Sequence, residues 1–261
     1  MTTFGALHHA ESGAGPAILF LHGVGGDAAS WAPQLHSFGQ AYRAMAWDMP
    51  GYGASDPLES PTFAALADAC VTLLDRQGVG RVHLVGHSIG GMVAQEVAAR
   101  HPDRLASLTL SATSPAFGNP DGDFQKKFVA ARLKPLAEGR TMAEIARDVV
   151  PRLVGPDADP AGVAAAVASM SRVPEATYRA MVELIVTFDR RDTLGAIAAP
   201  CLVLAGETDA QAPAPMMERM AGKIPGALFT CIPGAGHLAN LERPAAFDAA
   251  LTDFLTRLSG D

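Results

Sequence analysis

A serine between two glycines, Gly86-His87-Ser88-Ile89-Gly90, is where residue type and spacing in this chain first suggest chemistry. The apolar run Val82-His83-Leu84-Val85 leads into it, and Ile89, Met92, Val93 and Val97 recur at helical spacing after it. A serine at such a strand-to-helix turn is forced into a strained conformation with its oxygen exposed. Gly86 and Gly90 leave room for the backbone to approach closely there. The helix behind Ser88 presents free N–H groups and the positive end of its dipole. The Ile89 N–H is therefore expected to face a developing oxyanion.

A neutral hydroxyl is a poor nucleophile, so Ser88 needs a base, and the base needs an orienting acid. Pro233-Gly234-Ala235-Gly236-His237-Leu238 follows the last expected strand and precedes the last helix, which makes His237 the base. Gly206-Glu207-Thr208-Asp209 follows the preceding strand and offers two carboxylates. Asp209, deeper in the turn, is preferred to Glu207. The chain order Ser88, Asp209, His237 is the one expected for a serine at such an elbow. A second oxyanion donor is expected from the loop after the first clear strand, His22-Gly23-Val24-Gly25-Gly26, at the Val24 N–H. His22 and His87 lie inside these motifs and are read as loop-orienting residues. Asp48, in Trp47-Asp48-Met49-Pro50-Gly51, is read as ordering its own turn through side-chain to backbone hydrogen bonds. His8, His9, His36, His83 and His101 have no comparable context and are read as surface or packing residues.

These loops need a scaffold of strands and helices. Ala17–Leu21, Ala44–Trp47, Val82–Val85, Leu105–Leu110, Cys201–Ala205 and Leu228–Ile232 are short apolar runs, as expected of strands covered on both faces. Helical patterns lie between them. Ser60 with Pro61 is expected to start one, which carries Phe63, Leu66, Cys70, Val71 and Leu74 on one face. Phe247, Ala250, Leu251, Phe254, Leu255 and Leu258 stripe the last. The alternation implies an α/β fold with a mostly parallel, doubly wound sheet. It stops between Phe117 and Leu194, where four helices are expected, near 124–136, 141–153, 160–172 and 174–188. The expected organisation is a core domain from residues 1–116 and 195–261, with a helical cap, 117–194, inserted between its sixth and seventh strands. Such an insertion would lie over the carboxyl ends of the strands, where ligands bind in open α/β sheets.

Composition narrows the function classes. Of 261 residues, 49% are apolar and 18% charged, enough to fill a large core and too apolar for a disordered chain. The net charge of −7, with no basic run, argues against a nucleic-acid or anionic-membrane partner. Cys70, Cys201 and Cys231 are few, odd in number and set among apolar residues, which reads as buried thiols in a reducing compartment. The first ten residues lack the pattern of a secretory signal, and no apolar run is long enough to span a bilayer, so a cytoplasmic location is expected. No zinc-ligand spacing and no dinucleotide fingerprint follow from the sequence, so no metal or organic cofactor is expected.

Taken together, the motifs around His22-Gly23, Asp48 to Ser55, Gly86 to Gly91, Gly206 to Asp209 and Gly236-His237 resemble those of the α/β-hydrolase superfamily along nearly the whole chain. Within it, the tail Gly236-His237-Leu238-Ala239-Asn240-Leu241-Glu242-Arg243-Pro244 and the four-helix insertion look most like the 3-oxoadipate enol-lactonase group. That resemblance implies hydrolysis of a small carboxylic ester or lactone through an acyl-enzyme on Ser88. Haloalkane dehalogenases and epoxide hydrolases carry Asp where this chain has Ser88, and C–C bond hydrolases of ring-cleavage products often carry Asn where it has His87. The C–C hydrolases and cofactor-free perhydrolases stay open as alternatives, with a non-enzymatic ligand receptor behind them. The cap is expected to select the substrate, with Met142, Ile145, Val149, Met170, Tyr178 and Met181 as candidate lining residues beside Val167. Arg132, Lys134, Arg147, Arg152, Arg172, Arg179, Arg190 and Arg191 are the cations that an anionic substrate could meet. Monomer and homo-oligomer are both open.

Overall fold

Seven strands form one sheet in the computed structural model, which describes residues 4–118 and 121–259; the outermost expected boundaries, residues 1 and 261, lie outside the described residues. They are β1 (His9–Ser12), β2 (Ala17–Leu21), β3 (Arg43–Trp47), β4 (Val82–His87), β5 (Leu105–Ser111), β6 (Cys201–Gly206) and β7 (Leu228–Ile232). The spatial order is β1-β3-β2-β4-β5-β6-β7. Every pairing is parallel except that of β1, which runs antiparallel along β3 at the edge. β1 is polar and half-exposed, so no apolar run announces it in the sequence.

Side chains alternate across the sheet. Leu19 and Leu21 of β2 enter the core on one face, and Ile18 and Phe20 enter the core on the other. Each face is covered by helices, which is why the central strands are apolar at nearly every position. The helices are α1 (Ala32–Phe38), α2 (Phe63–Arg76), α3 (Ile89–Arg100), α4 (Asp123–Ala137), α5 (Met142–Val149), α6 (Pro160–Arg172), α7 (Glu175–Ile185), α8 (Ala214–Ala221), α9 (Ala239–Glu242) and α10 (Pro244–Ser259). α2, α3 and α8 cover one face; α1 and α10 cover the other. α2 starts two residues later than Ser60 and Pro61 suggested. Thr62 is its cap, its hydroxyl accepting the Ala65 N–H at 3.0 Å from an extended backbone, and Pro61 stays outside.

Helices α4 to α7 occupy the region where the alternation stops. α5 ends at Val149 and passes into a 3-10 turn at Val150–Arg152, because Pro151 has no N–H to continue the ladder. The chain leaves the sheet after β5 and re-enters it at β6. That is one strand earlier than the expected position, because only the short β1 precedes β2 among the described residues. Both ends of the insertion meet at its base: Ala116 bridges Asp189, the Phe117 N–H donates to the Phe188 carbonyl at 2.9 Å, and the Arg190 N–H donates to the Pro115 carbonyl at 2.8 Å. No helix of the described residues is long and apolar enough to cross a membrane.

Candidate active site

Ser88 sits between the end of β4 and the start of α3, with φ 54° and ψ −121°. This is a sparsely populated conformation for a residue with a side chain; it costs about 1–3 kcal/mol and persists only where its surroundings enforce it. The enforcement is visible. The Ser88 N–H donates to the Ser111 carbonyl at 3.0 Å, and the Ser88 carbonyl accepts from the Thr113 hydroxyl at 2.7 Å and the Gly91 N–H at 2.9 Å. A Cβ on Gly86 would collide with the Gly90 carbonyl, and one on Gly90 with the Leu21 carbonyl, so the turn closes only with glycine at both positions.

His237 and Asp209 approach Ser88 from the loops after β7 and β6. His237 Nε2 lies 3.2 Å from Ser88 Oγ, and His237 Nδ1 lies 2.8 Å from Asp209 Oδ2. An ionised Asp209 accepts, so the proton sits on Nδ1 and the Nε2 lone pair faces the Ser88 hydroxyl. Burial would raise the Asp209 pKa. The His237 hydrogen bond and the Gln211 and Ala212 N–H groups outweigh burial and hold the carboxyl below its usual range. Glu207, the other carboxylate of that turn, is exposed and caps the Gly234 N–H at 2.8 Å, away from His237.

The two motif histidines act on backbone carbonyls. His87 Nε2 donates to the His237 carbonyl at 2.8 Å, and burial together with the neighbouring His237 pushes its pKa down to about 3. His22 Nδ1 lies 2.8 Å from the Gly23 carbonyl, while the Met49 N–H donates to His22 Nε2 at 3.0 Å. That pair of bonds fixes one neutral tautomer, and burial lowers the His22 pKa accordingly. The Gly23 carbonyl also accepts the Gly26 N–H at 3.0 Å. Gly23 C=O and Val24 N–H belong to one peptide plane and point opposite ways, so the two donors on the carbonyl set the direction of the Val24 N–H. Among the described residues, neither the Val24 nor the Ile89 N–H has a hydrogen-bond partner.

Asp48 holds its own region together. It accepts the Ala28 N–H at 2.8 Å and the Ala54 N–H at 3.2 Å, and it lies 2.6 Å from His8 Nδ1. His9, His83 and His101 contact Glu11, Ser107 and Asp68, all away from Ser88. Burial pushes the Cys70 and Cys201 thiols up to about 12, which keeps them protonated and unreactive at neutral pH. Among the described residues no group of three or more His, Cys, Asp or Glu is placed to hold a metal ion.

Ser88, His87, His237 and Val24 line the floor of a cavity of about 710 Å³. Its walls come from α4 to α7 and the loop after β6, as expected for an insertion over the carboxyl ends of the strands. Of the six proposed lining residues, Val149, Met170 and Tyr178 reach it. Met142, Ile145 and Met181 do not; they are buried in the packing of the inserted helices. Val167 also packs there. Phe117, Phe124 and Phe128, whose rings pack edge to face or stacked, line the wall as well, with Val182, Ile185 and Met216; no local pattern in the sequence marks these six. Of the eight cations weighed, Arg132 alone lines the cavity, and no carboxylate among the described residues does. Its guanidinium stands 4.4 Å over the Phe128 ring and donates to Gln211 Oε1 at 3.0 Å. The Tyr178 hydroxyl has no hydrogen-bond partner among the described residues, and burial raises its pKa.

Comparison with known proteins places this arrangement in a family. The model of the alpha/beta hydrolase family matches residues 18–250. "Putative carbamate hydrolase RutD" of Variovorax paradoxus (strain S110) is 35% identical over 265 residues, which cover 97% of each chain. A thermophilic esterase from Thermogutta terrifontis, solved with malate bound, superposes with a TM-score of 0.86 at 31% identity, over 97% of this chain and 93% of the other. The enol-lactonase from Burkholderia xenovorans LB400 does so with a TM-score of 0.86 at 29% identity, over 96% of each.

Proposed function

This chain belongs to the alpha/beta hydrolase family, and from that membership and the groups around Ser88 we propose that it hydrolyses a carboxylic ester or lactone through an acyl-enzyme on Ser88. One observation carries the reading: the unbroken hydrogen-bonded series Ser88, His237, Asp209 at the floor of the cavity, beside two N–H groups that have no partner among the described residues. His237 Nε2 takes the Ser88 proton as Oγ attacks the acyl carbonyl. Asp209 keeps Nδ1 protonated and stabilises the imidazolium. The Val24 and Ile89 N–H groups receive the oxyanion, each worth about 3–4 kcal/mol in comparable sites. The imidazolium returns its proton to the leaving alkoxide, and the acyl group stays on Oγ. Water, deprotonated by His237, attacks the acyl carbon, and Ser88 leaves with the proton.

Helices α4 to α7 act as the cap in this reading. Phe117, Phe128, Val149 and Met170 give the acyl or lactone portion an apolar wall, and Arg132 and Tyr178 supply polar contact to one part of it. The resemblance to the enol-lactonase, the esterase and the carbamate hydrolase relative supports a carbonyl substrate with a heteroatom leaving group.

The test is covalent capture and turnover. Wild type should be labelled by a fluorophosphonate and should hydrolyse p-nitrophenyl acetate, with a burst when acylation outruns deacylation. Ser88→Ala should lose the label and about 10⁶-fold in kcat. Equal labelling and turnover by both proteins would defeat the reading. A panel of enol-lactones, simple esters, carbamates and ring-cleavage dienones then places the substrate. Turnover of dienones alone would transfer the site to C–C bond hydrolysis.

A further inference from the structure

We propose that Asp27 is a positioning residue: it clamps the loop that carries the Val24 N–H onto cap helix α6, so that the oxyanion donor, whose direction His22, Gly26 and Tyr52 set, is held at its full precision only while α6 is seated. The inference rests on the acyl-transfer reading above and adds a coupling that the reading does not require.

The loop from Gly23 to Asp27 is short, and its near end is fixed by His22 and the Gly26 N–H. Its far end is Asp27, a buried carboxylate with an extended backbone at the start of the following 3-10 turn. Asp27 is anchored to that turn by its own backbone, the Asp27 N–H donating to Ser30 Oγ at 3.1 Å and its carbonyl accepting the Ser30 N–H at 3.0 Å. Both carboxylate oxygens reach across to α6. Oδ1 accepts the Ser169 hydroxyl at 2.8 Å, and Oδ2 accepts Arg172 Nη2 at 2.6 Å and Nε at 3.2 Å. Arg172 Nη2 also reaches Ser169 Oγ at 3.2 Å, which closes the network. Between these anchors the Met170 side chain packs directly on Gly25.

One turn of α6 thus touches the donor loop at two successive points, Gly25 and Asp27. The junction is not continuous packing. A separate cavity of about 240 Å³ lies beside it, lined by Gly26, Asp27, Tyr52, Ser169, Arg172 and Pro174. At Asp27 the charged and polar side chains carry the connection, and at Gly25 the Met170 contact does. Burial would raise the Asp27 pKa, but Arg172 and Ser169 outweigh it and hold the carboxyl below its usual range, so the clamp is charged at neutral pH. The neighbouring His22 is held neutral by burial.

A displaced donor is costly, because misplacing a catalytic group by about 1 Å can lower the rate about 100-fold. The experiment compares wild type with Asp27→Asn, Arg172→Met and Arg172→Lys on p-nitrophenyl acetate, a small ester that makes the fewest demands on the cavity wall. Rates are expressed per Ser88 titrated with fluorophosphonate, so that any unfolded fraction drops out. Asp27→Asn and Arg172→Met should lower kcat about tenfold or more with KM nearly unchanged, the pattern of an interaction made in the transition state. Arg172→Lys, which keeps a cation, should recover part of the loss. The affinity for a trifluoromethyl ketone, whose adduct places an oxyanion in the hole, should weaken by the same factor as kcat/KM. Arg172 is more than half exposed, so its variants keep the test open should Asp27→Asn not fold. Wild-type kcat per titrated site in Arg172→Met would overturn the proposal, as would a loss confined to KM. If Ser88→Ala is as active as wild type, the acyl-transfer reading itself fails. If Ser88→Ala is inactive and the Arg172 variants match wild type, only the clamp fails.

Discussion

Replacing His87 with Asn exposes a pH-dependent cost built into the floor of the cavity. His87 is buried, and its pKa is pushed down to about 3 from an ordinary 6.5, first by burial and then by the neighbouring His237. In the unfolded chain the same imidazole takes up a proton as pH falls through 6.5, while in the native protein it stays neutral until about 3. The unfolded state binds more protons throughout that window, so stability falls as pH drops from the upper value toward the lower. For one such group the loss between about pH 7 and about pH 5 is about 2 kcal/mol. Asn keeps an amide donor for the His237 carbonyl and does not titrate. Urea unfolding of wild type and His87→Asn at the two pH values reads the difference directly, provided the m-values agree. Wild type should lose about 2 kcal/mol more than the variant on acidification. His22, also buried and lowered, is present in both proteins and cancels. Parallel pH profiles would refute the argument, because they would mean that His87 binds its proton as readily in the folded protein as in the unfolded one.

Other substitutions separate the roles assigned to the remaining groups. Asp209→Asn should lower kcat about 10⁴-fold by losing the correct imidazole tautomer, whereas Glu207→Gln should stay near wild type; the reverse pattern would move the acid to Glu207. Met142→Ala, in the buried packing of the inserted helices, should cost about 2–5 kcal/mol in unfolding free energy without altering acyl-chain preference. Val149→Ala, at the cavity wall, should shift that preference toward longer chains, as a series of p-nitrophenyl esters would show. Arg132→Met should reduce kcat/KM for half-esters bearing a free carboxylate about tenfold relative to matched neutral esters. An equal effect on both series would leave Arg132 as a support for Phe128.

The candidate site residues were legible because each is dictated by its own stretch of chain. Gly86 and Gly90 exist because a Cβ would strike a carbonyl, so the sharp turn at Ser88 leaves a local signature. His237 and Asp209 each follow an apolar strand, and their order in the chain fixes which loop each occupies. β1 was not legible, because a half-exposed edge strand of His9, Ala10, Glu11 and Ser12 buries too little to show a period. The cavity walls were only half legible. Met142 and Val149 lie on the same helix and look equally apolar, yet one packs inward and the other reaches the cavity. That choice is set by how α4 to α7 lean on one another, and no single helix encodes it. The bonds from Asp27 to Ser169 and Arg172 span 142 and 145 residues, beyond any local pattern.

The stitched base of the insertion bears on how such a molecule can diversify. Because Ala116 meets Asp189 and the backbone bonds of Phe117 and Arg190 close the same neck, about seventy residues begin and end at a single point on the scaffold. The cost of closing a loop grows only slowly with its length, and here the closure is already made at the neck. Residues can be gained, lost or replaced above it while β5 and β6 keep their register below. In the reading proposed above, selectivity can then change with the helical segment wherever two links to the site are kept: the bonds of Ser169 and Arg172 to Asp27, and that of the Leu153 carbonyl to the His237 N–H.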